Sequence, residues 1–249
     1  MINVTVDVGN TIISFCMFKK DKLVKHRKIP TDKLDIKTLK IIKKFFFGHH
    51  KIRPLISSVV PSSEKIIKSF FKDNSIDSIS LKDLLKKIDI KTNIKKKKEI
   101  GDDRFTNIIY AKKIYKNSVI VIDFGTATTF DVLNSKGVYF GGIITPGIDL
   151  SLNVLKYKTA KLPLVKFKKT KKVVGFNTKE AIESGFFWGY CSMIEGLIKK
   201  IEEEQKEVFK IILTGGNANY FKGIHKKVVL IDEFFTSKAL NYILNEYVK

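Results

Sequence analysis

Two stretches decide the fold: Val4-Thr5-Val6-Asp7-Val8-Gly9-Asn10 near the start of the chain and Ile120-Val121-Ile122-Asp123-Phe124-Gly125-Thr126 near its middle. Aligned, Asp7 falls on Asp123 and Gly9 on Gly125, an offset of 116 residues. Each copy is an apolar run, a carboxylate, one spacer, a glycine, a small polar residue and a second apolar run. That pattern reads as strand, tight turn, strand. The offset is close to half of the 249 residues. It is too long for a solenoid repeat and points to a duplicated domain. A carboxylate at a strand end is held rigidly and suits a hard cation. A glycine two residues on lets the backbone turn sharply and bring N–H groups near a ligand. Two such units would grip a polyphosphate from both sides with metal between. One Asp-x-Gly alone is an ordinary hairpin turn; the second copy, after a second buried strand, favours the chemical reading.

Outward from the repeat, the pattern alternates strand and helix. Lys19–Lys22 is a turn, residues 34–47 carry Leu34, Leu39, Ile42 and Phe46 at helical spacing, and Leu55–Val60 is a buried strand stopped by Pro61. Ser62 or Ser63 is expected to cap a helix through about Phe71. The lysine-rich stretch 83–98 has no clear element, and a helix is expected from Asp102 to about Tyr115. In the second half, Val119–Ile122, Thr129–Leu133 and Val138–Gly142 read as strands, the last two joined by a hairpin turn at Asn134-Ser135-Lys136-Gly137. Thr145-Pro146-Gly147 reads as a helix start, Thr178 begins a long helix, Ile211–Leu213 is a last buried strand and a helix closes the chain from about Ser237. The expectation is an α/β protein of two domains, residues 1–115 and 116–249.

Composition bounds the function. The hydrophobic share of 44% with 11% aromatics is enough to bury a core. Cys16 and Cys191 are the only cysteines, which rules out a disulfide framework and a cysteine-rich zinc site. No apolar run has the length of a membrane span, and the N-terminal apolar stretch carries Asp7 without a basic leader, so a cytoplasmic, reducing compartment is expected. The net charge of +22 invites a polyanion. Yet all but Arg27, Arg53 and Arg104 of the 47 basic residues are lysines, and arginine is the better reader of phosphates and base edges. The abundance of Lys, Ile, Phe and Asn also fits AT-rich codons. Neither specific nucleic-acid binding nor a membrane is expected. His49-His50 reads as surface loop, Cys16 and Cys191 as small core residues, and Phe186, Phe187, Trp188 and Tyr190 as core or dimer interface. No P-loop, dinucleotide fingerprint, zinc-protease motif or nucleophile elbow occurs.

Seven segments together resemble the type III pantothenate kinases of the actin-like ATPase and sugar-kinase superfamily. They are Asp7-Val8-Gly9-Asn10-Thr11, Ser57-Ser58-Val59-Val60-Pro61, Gly101-Asp102-Asp103-Arg104, Asp123-Phe124-Gly125-Thr126-Ala127-Thr128-Thr129, Gly141-Gly142-Ile143-Ile144-Thr145-Pro146-Gly147, the stretch from Asn177-Thr178 to Ser184-Gly185, and Thr214-Gly215-Gly216. Their order and spacing match over nearly the whole chain. The resemblance implies two RNase H-like domains, mixed sheets flanked by helices, and ATP-dependent phosphorylation of pantothenate to 4′-phosphopantothenate, the first step of coenzyme A biosynthesis. It implies ATP binding by Asp7, Val8, Gly9, Asn10, Thr11, Ile12, Ile13 and Ser14, with Asp7 near Mg²⁺ and Thr126 touching ATP. It implies Asp103 as general base, Gly101, Asp102, Asp103, Arg104 and Thr178 as pantothenate contacts, and Asp123 as ligand to a monovalent cation, K⁺ or NH₄⁺. It also implies a homodimer with the substrate pocket at the subunit interface.

The chain departs from the family pattern at two places. Asp102 stands where an alanine is usual. It either faces the site beside Asp103, where like charges disfavour ionisation, or points to solvent. Ile94 stands where a tyrosine is usual, followed by Lys95-Lys96-Lys97-Lys98. Three other functions stay open: an accessory protein that keeps the fold, a polyanion binder, and a phosphotransferase with another hydroxyl substrate.

Overall fold

The computed structural model describes residues 1–48, 51–96 and 99–248, so His49, His50 and the Lys97–Lys98 part of the lysine run lie outside the described residues. The apolar run Ile2–Val8 is strand β1, which turns back into β2 (Ile12–Lys19) and then β3 (Lys22–Pro30) as an antiparallel meander. Helix α1 (Ile36–Ile42) runs on into one wider turn over Lys43–Phe47. β4 (Ile52–Ser58) returns parallel to β1; helix α2 (Pro61–Asp73) then leads to β5 (Ile79–Ser80), parallel to β4. Helices α3 (Leu81–Leu85) and α4 (Asp102–Ile114) follow.

The second sheet repeats this plan. β6 (Val119–Phe124), β7 (Ala127–Leu133) and β8 (Tyr139–Pro146) form the meander; helices α5 (Ile148–Tyr157) and α6 (Thr178–Gln205) follow. Then β9 (Lys210–Gly215) pairs parallel to β6, and β10 (Val228–Ile231) parallel to β9. The strand orders are β3-β2-β1-β4-β5 and β8-β7-β6-β9-β10, the same topology twice. The expected pair of RNase H-like domains is therefore present.

Two compact units result: Met1–Ile90, Lys95–Tyr110 and Phe234–Lys249 in the first, Lys91–Ile94 and Ala111–Glu233 in the second. The last helix, α7 (Phe235–Tyr247), packs on β1, β2 and β4 of the first unit, although it follows the second half in sequence. Its anchor is a polar network. The buried Asn3 amide donates to Asn241 Oδ1 and to Asn245 Oδ1, each at 2.7 Å. Arg53 donates to Asn3 Oδ1 at 3.2 Å, to Asn245 Oδ1 at 3.2 Å and to the Val248 carbonyl at 2.9 Å.

Strand alternation decides what each face carries. Val4, Val6 and Val8 of β1 bury one face against Leu39, Ile42, Ile67, Phe70 and Phe71 of α1 and α2. Asn3, Thr5 and Asp7 therefore share the opposite face. In β6, Ile120, Ile122 and Phe124 join the core built with Phe187, Ile194 and Ile198 of α6, which leaves Asp123 on the face turned away from it. In both units the carboxylate sits opposite the main apolar cluster.

Two local expectations change, and one strand is added. Helix α2 starts at Pro61 in its first turn with Val60 at the cap position, so neither Ser62 nor Ser63 caps it; proline is preorganised there because its missing N–H has no helical partner to lose. Thr145 and Pro146 belong to β8, and Gly147 caps α5. β3, which shows no sequence alternation, is a sheet edge whose lysine-rich exposed face suits an unpaired border. In the 83–98 stretch, Thr92 docks on the second sheet: its hydroxyl donates to the Tyr139 carbonyl at 2.9 Å, and the Tyr139 N–H donates to the Lys91 carbonyl at 2.8 Å. Among the described residues no helix is long and apolar enough to cross a membrane.

Candidate active site

In the first unit, Asp7 lies in register between Ser14 of β2 and Ser57 of β4, so the three side chains share one face of the sheet. The turn that follows is closed by the Gly9 N–H donating to the Ile12 carbonyl at 3.0 Å. Asn10, Thr11 and Ile12 are exposed there, while Val8 and Ile13 are buried in the core. The side chains of Val8 and Ile13 are therefore closed to a ligand, and the Val8 carbonyl accepts from the Val59 N–H at 3.1 Å. The Asp7 carboxyl is pushed up to about 7, chiefly by burial and in addition by the nearby Asp103 charge, with a hydrogen bond to Ser57 opposing both. Ser57 is thus part of this constellation; the sequence marked it only as the first residue of the Ser57–Pro61 motif segment, with no role attached.

Asp102 and Asp103 occupy the first turn of α4, where the positive end of the helix dipole favours acidic side chains. Asp103 Oδ1 accepts from the Arg104 N–H at 2.8 Å, and Thr106 Oγ1 donates to the Asp102 carbonyl at 2.6 Å. A Cβ on Gly101 would sit 2.6 Å from Asp103 Oδ1, so the glycine leaves space for that carboxylate. Asp102 has its own surroundings. It is half-buried and lines a cavity of about 520 Å³ with Lys82, Leu85, Ile88, Ile100 and Phe105. Burial raises its pKa, Lys82 lowers it, and Asp103 and Glu64 raise it.

In the second unit, Asp123 lies in register between Thr129 of β7 and Thr214 of β9. Gly215 has φ +87°, and a Cβ there would sit 2.5 Å from Asp123 Oδ1. The buried Thr214 hydroxyl has no hydrogen-bond partner among the described residues. A carboxylate beside an unpaired hydroxyl is an oxygen donor set that fits a hard monovalent cation. The turn Gly125–Thr126 is held from behind by the Gly147 N–H, which donates to the Thr126 carbonyl at 3.0 Å. Thr178 is the exposed first residue of α6, capped reciprocally: Asn177 Oδ1 accepts from the Glu180 N–H at 2.9 Å, and Glu180 Oε2 accepts from the Phe176 N–H at 3.0 Å.

For a divalent ion, the first unit offers Asp7 with the Asp103 charge beside it, an excess of negative charge that a cation would offset. Among the described residues no three His, Cys, Asp or Glu side chains gather into a metal cluster. That fits Mg²⁺, which takes one or two carboxylates and completes its shell with water and substrate phosphates.

Along α6, Phe187 and Cys191 are core, Trp188 Nε1 donates to the Lys172 carbonyl at 3.1 Å, and Phe186 and Tyr190 stack at 6.4 Å. With Ile182, Met193, Leu155 and Pro146 they line an apolar groove of about 450 Å³. Cys16 is buried in β2, with its thiol pushed up by burial, in keeping with a core residue.

The comparisons agree with this architecture. Among solved structures, the ethanolamine utilization protein EutJ from Carboxydothermus hydrogenoformans superposes with a TM-score of 0.56 at 12% identity, covering 98% of this chain and 90% of that one. The activator of 2-hydroxyisocaproyl-CoA dehydratase from Clostridium difficile, with bound ADPNP, gives 0.55 at 11% identity over 99% and 96%. These likenesses establish the actin-like ATPase fold. At the sequence level, the type III pantothenate kinase of Pelagibacter ubique is 39% identical over 94% of this chain and 95% of the relative. That of Sulfurihydrogenibium sp. is 37% identical over 97% and 98%. The family model for type III pantothenate kinase matches residues 3–200, a span that contains both Asp-x-Gly hairpins and the start of α4. With fold, motif order and relatives all in agreement, this chain belongs to the type III pantothenate kinase family.

Proposed function

We propose that this protein transfers the γ-phosphoryl group of ATP to the primary hydroxyl of pantothenate, giving 4′-phosphopantothenate and ADP in the first step of coenzyme A biosynthesis. The observation that carries the residue roles is the charge coupling between Asp7 at the hairpin and Asp103 at the start of α4. Phosphoryl transfer needs positioning and charge neutralisation more than covalent chemistry. The hairpin holds the phosphates through the backbone from Val8 to Ile13 and the Ser14 hydroxyl. Asp7 would hold Mg²⁺, which when bound neutralises phosphate charge. Asp103 accepts the hydroxyl proton as the new O–P bond forms and the bond to ADP breaks. Gly101, Asp103, Arg104 and Thr178 contact pantothenate, with the Arg104 fork suited to its carboxylate. In the second unit Thr126 contacts ATP, and Asp123 with Thr214 would hold K⁺ or NH₄⁺, which adds fixed positive charge.

The protein is a homodimer in this reading, and the apolar groove of α5 and α6 is the face that pairs. Light scattering that finds only monomer at micromolar concentration removes that part. The test of the activity is ADP release with Mg·ATP over a panel of hydroxyl substrates, with the phosphorylated product identified by mass. Turnover with another alcohol and none with pantothenate makes it a different phosphotransferase; none with any makes it an accessory protein. Asp103→Asn is expected to lower kcat about 10²–10⁴-fold with the fold intact. Near wild-type kcat removes Asp103 from the mechanism.

A further inference from the structure

We infer that Thr31 is a positioning residue that aims the phosphate-binding turn, an inference that rests on the reading of the Gly9–Ile12 hairpin as the phosphate site. Thr31 follows Pro30 at the end of β3 and reaches back across the turn with two donors. Its hydroxyl donates to the Gly9 carbonyl at 2.8 Å, and its N–H donates to the Thr11 carbonyl at 2.9 Å. The Gly9 N–H closes the turn onto the Ile12 carbonyl at 3.0 Å. One residue therefore fixes the carbonyls on both sides of Asn10. A peptide group is planar and trans, so its C=O and N–H point in opposite directions. Drawing the Gly9 carbonyl toward Thr31 turns the Asn10 N–H away from Thr31. The Asn10 amide, in the exposed part of the turn, is set in direction by the Thr31 hydroxyl.

The second unit shows what this replaces. Pro30-Thr31 recurs 116 residues later as Pro146-Gly147. The backbone bond is kept: the Gly147 N–H donates to the Thr126 carbonyl at 3.0 Å, as that of Thr31 does to Thr11. The side-chain bond is not, because a Cβ on Gly147 would run into the carbonyl oxygens of Gly125 and Thr126. Gly125 is the repeat of Gly9. Where the second hairpin presses its turn against a bare glycine, the first makes room for a side chain and ties the turn to it.

The experiment compares Thr31→Val, close in shape but without the donor, with Thr31→Ala and Thr31→Ser in the full chain. Mg·ATP affinity is measured by calorimetry, and kcat and both KM values by ADP release. Loss of one hydrogen bond should weaken ATP binding and raise KM for ATP about 3–10-fold in Val and Ala. KM for pantothenate, kcat and Tm should stay near wild type, and Ser should restore ATP affinity. Unchanged ATP affinity in both Val and Ala overturns the inference. So does a loss spread evenly over both substrates and Tm that Ser does not rescue, which is the mark of a merely structural residue. Asp7→Asn separates the two levels. If it keeps full ATP binding and turnover, the hairpin is not the phosphate site and both readings fall. If it abolishes turnover while Thr31→Val and Thr31→Ala are silent, only the role of Thr31 falls.

Discussion

The two Asp-x-Gly hairpins share strand order and the face on which the carboxylate stands, and their turns differ by one residue: Asp7 pairs with Ser14, seven residues on, and Asp123 with Thr129, six residues on. In the first, Gly9 closes onto Ile12; in the second, Gly125 closes onto Ala127 with an N···O distance of 3.1 Å. The shorter turn is packed by glycines: Gly147 beneath it and Gly215, in the left-handed region, against Asp123. The longer turn is held by the side chain of Thr31 and contains the exposed Asn10 and Thr11. Duplication has kept the scaffold, and under the proposed roles it divides the work. The tight copy suits a bare cation close to backbone, and the roomier copy suits a group as large as a phosphate chain.

Asp7→Asn is the largest way to sharpen this division. Turnover should fall about 10²–10³-fold, as for loss of a charge-stabilising group at a transferring phosphoryl. Stability should move the other way in the metal-free protein. The Asp7 carboxyl is raised from 3.8 to about 7, so the folded state holds a proton that the unfolded state has released across that range. Stability is then lost as pH rises from about 4 to 7. Asn carries no such penalty, so Asp7→Asn should gain Tm relative to wild type with rising pH and level off above about 7. A Tm difference independent of pH would mean that Asp7 is not burdened by burial and by Asp103.

Gly147→Ala breaks the comparison from the other side. The added Cβ meets two backbone oxygens, which cannot swing away as a side chain can. Overpacking of this kind typically costs about 1–3 kcal/mol. Thr31→Ala, at the matching position of the first unit, should leave denaturant stability nearly unchanged. Equal midpoints for the two variants would show that the second turn is not packed against glycine.

These features were unequally legible. The central strands announce themselves as apolar runs, and the repeat of Asp and Gly fixes their order because a duplicated strand has a duplicated partner. β3 was missed because an edge strand with lysines on its open side has no alternation to read. The attachment of α7 to the first sheet was missed for another reason. Asn3, Arg53, Asn241 and Asn245 meet through hydrogen bonds over most of the chain length, and no local pattern encodes that. At the site, Asp7, Asp103 and Asp123 could be named from motif. Ser57 stood in a motif segment without a role, and Thr31 stood in none, since each acts through a bond to a distant turn or strand. The one signal for Thr31 was Pro30-Thr31 against Pro146-Gly147, visible only when the repeat is carried past the hairpin.

The smallest effect is expected at Asp102, and it tests whether the first unit tolerates a second carboxylate beside the proposed base, Asp103. Asp102 and Asp103 are neighbours in sequence, yet their surroundings differ. Asp103 acts electrostatically on Asp7, whereas Asp102 lines the cavity with Lys82, Ile100 and Phe105. Lys82 partly offsets the burial that raises the Asp102 pKa. Removing the carboxylate therefore removes a desolvation cost and a lysine attraction of opposite sign. Asp102→Ala should leave kcat/KM for both substrates within about twofold, since a partly solvated charge set against a neighbouring lysine is well screened. Its pH signature should be slight: a carboxyl raised by burial is stabilising below its ordinary range and loses that as pH rises, so Ala should gain a little relative stability toward neutral pH. Steady-state kinetics and thermal melts at pH 5 and pH 8 read both. A loss of kcat/KM by an order of magnitude would mean that the cavity face of α4 is part of the substrate site. The lysines around it would then be contacts to pantothenate, and the first unit would have widened its site beyond the face that carries Asp7.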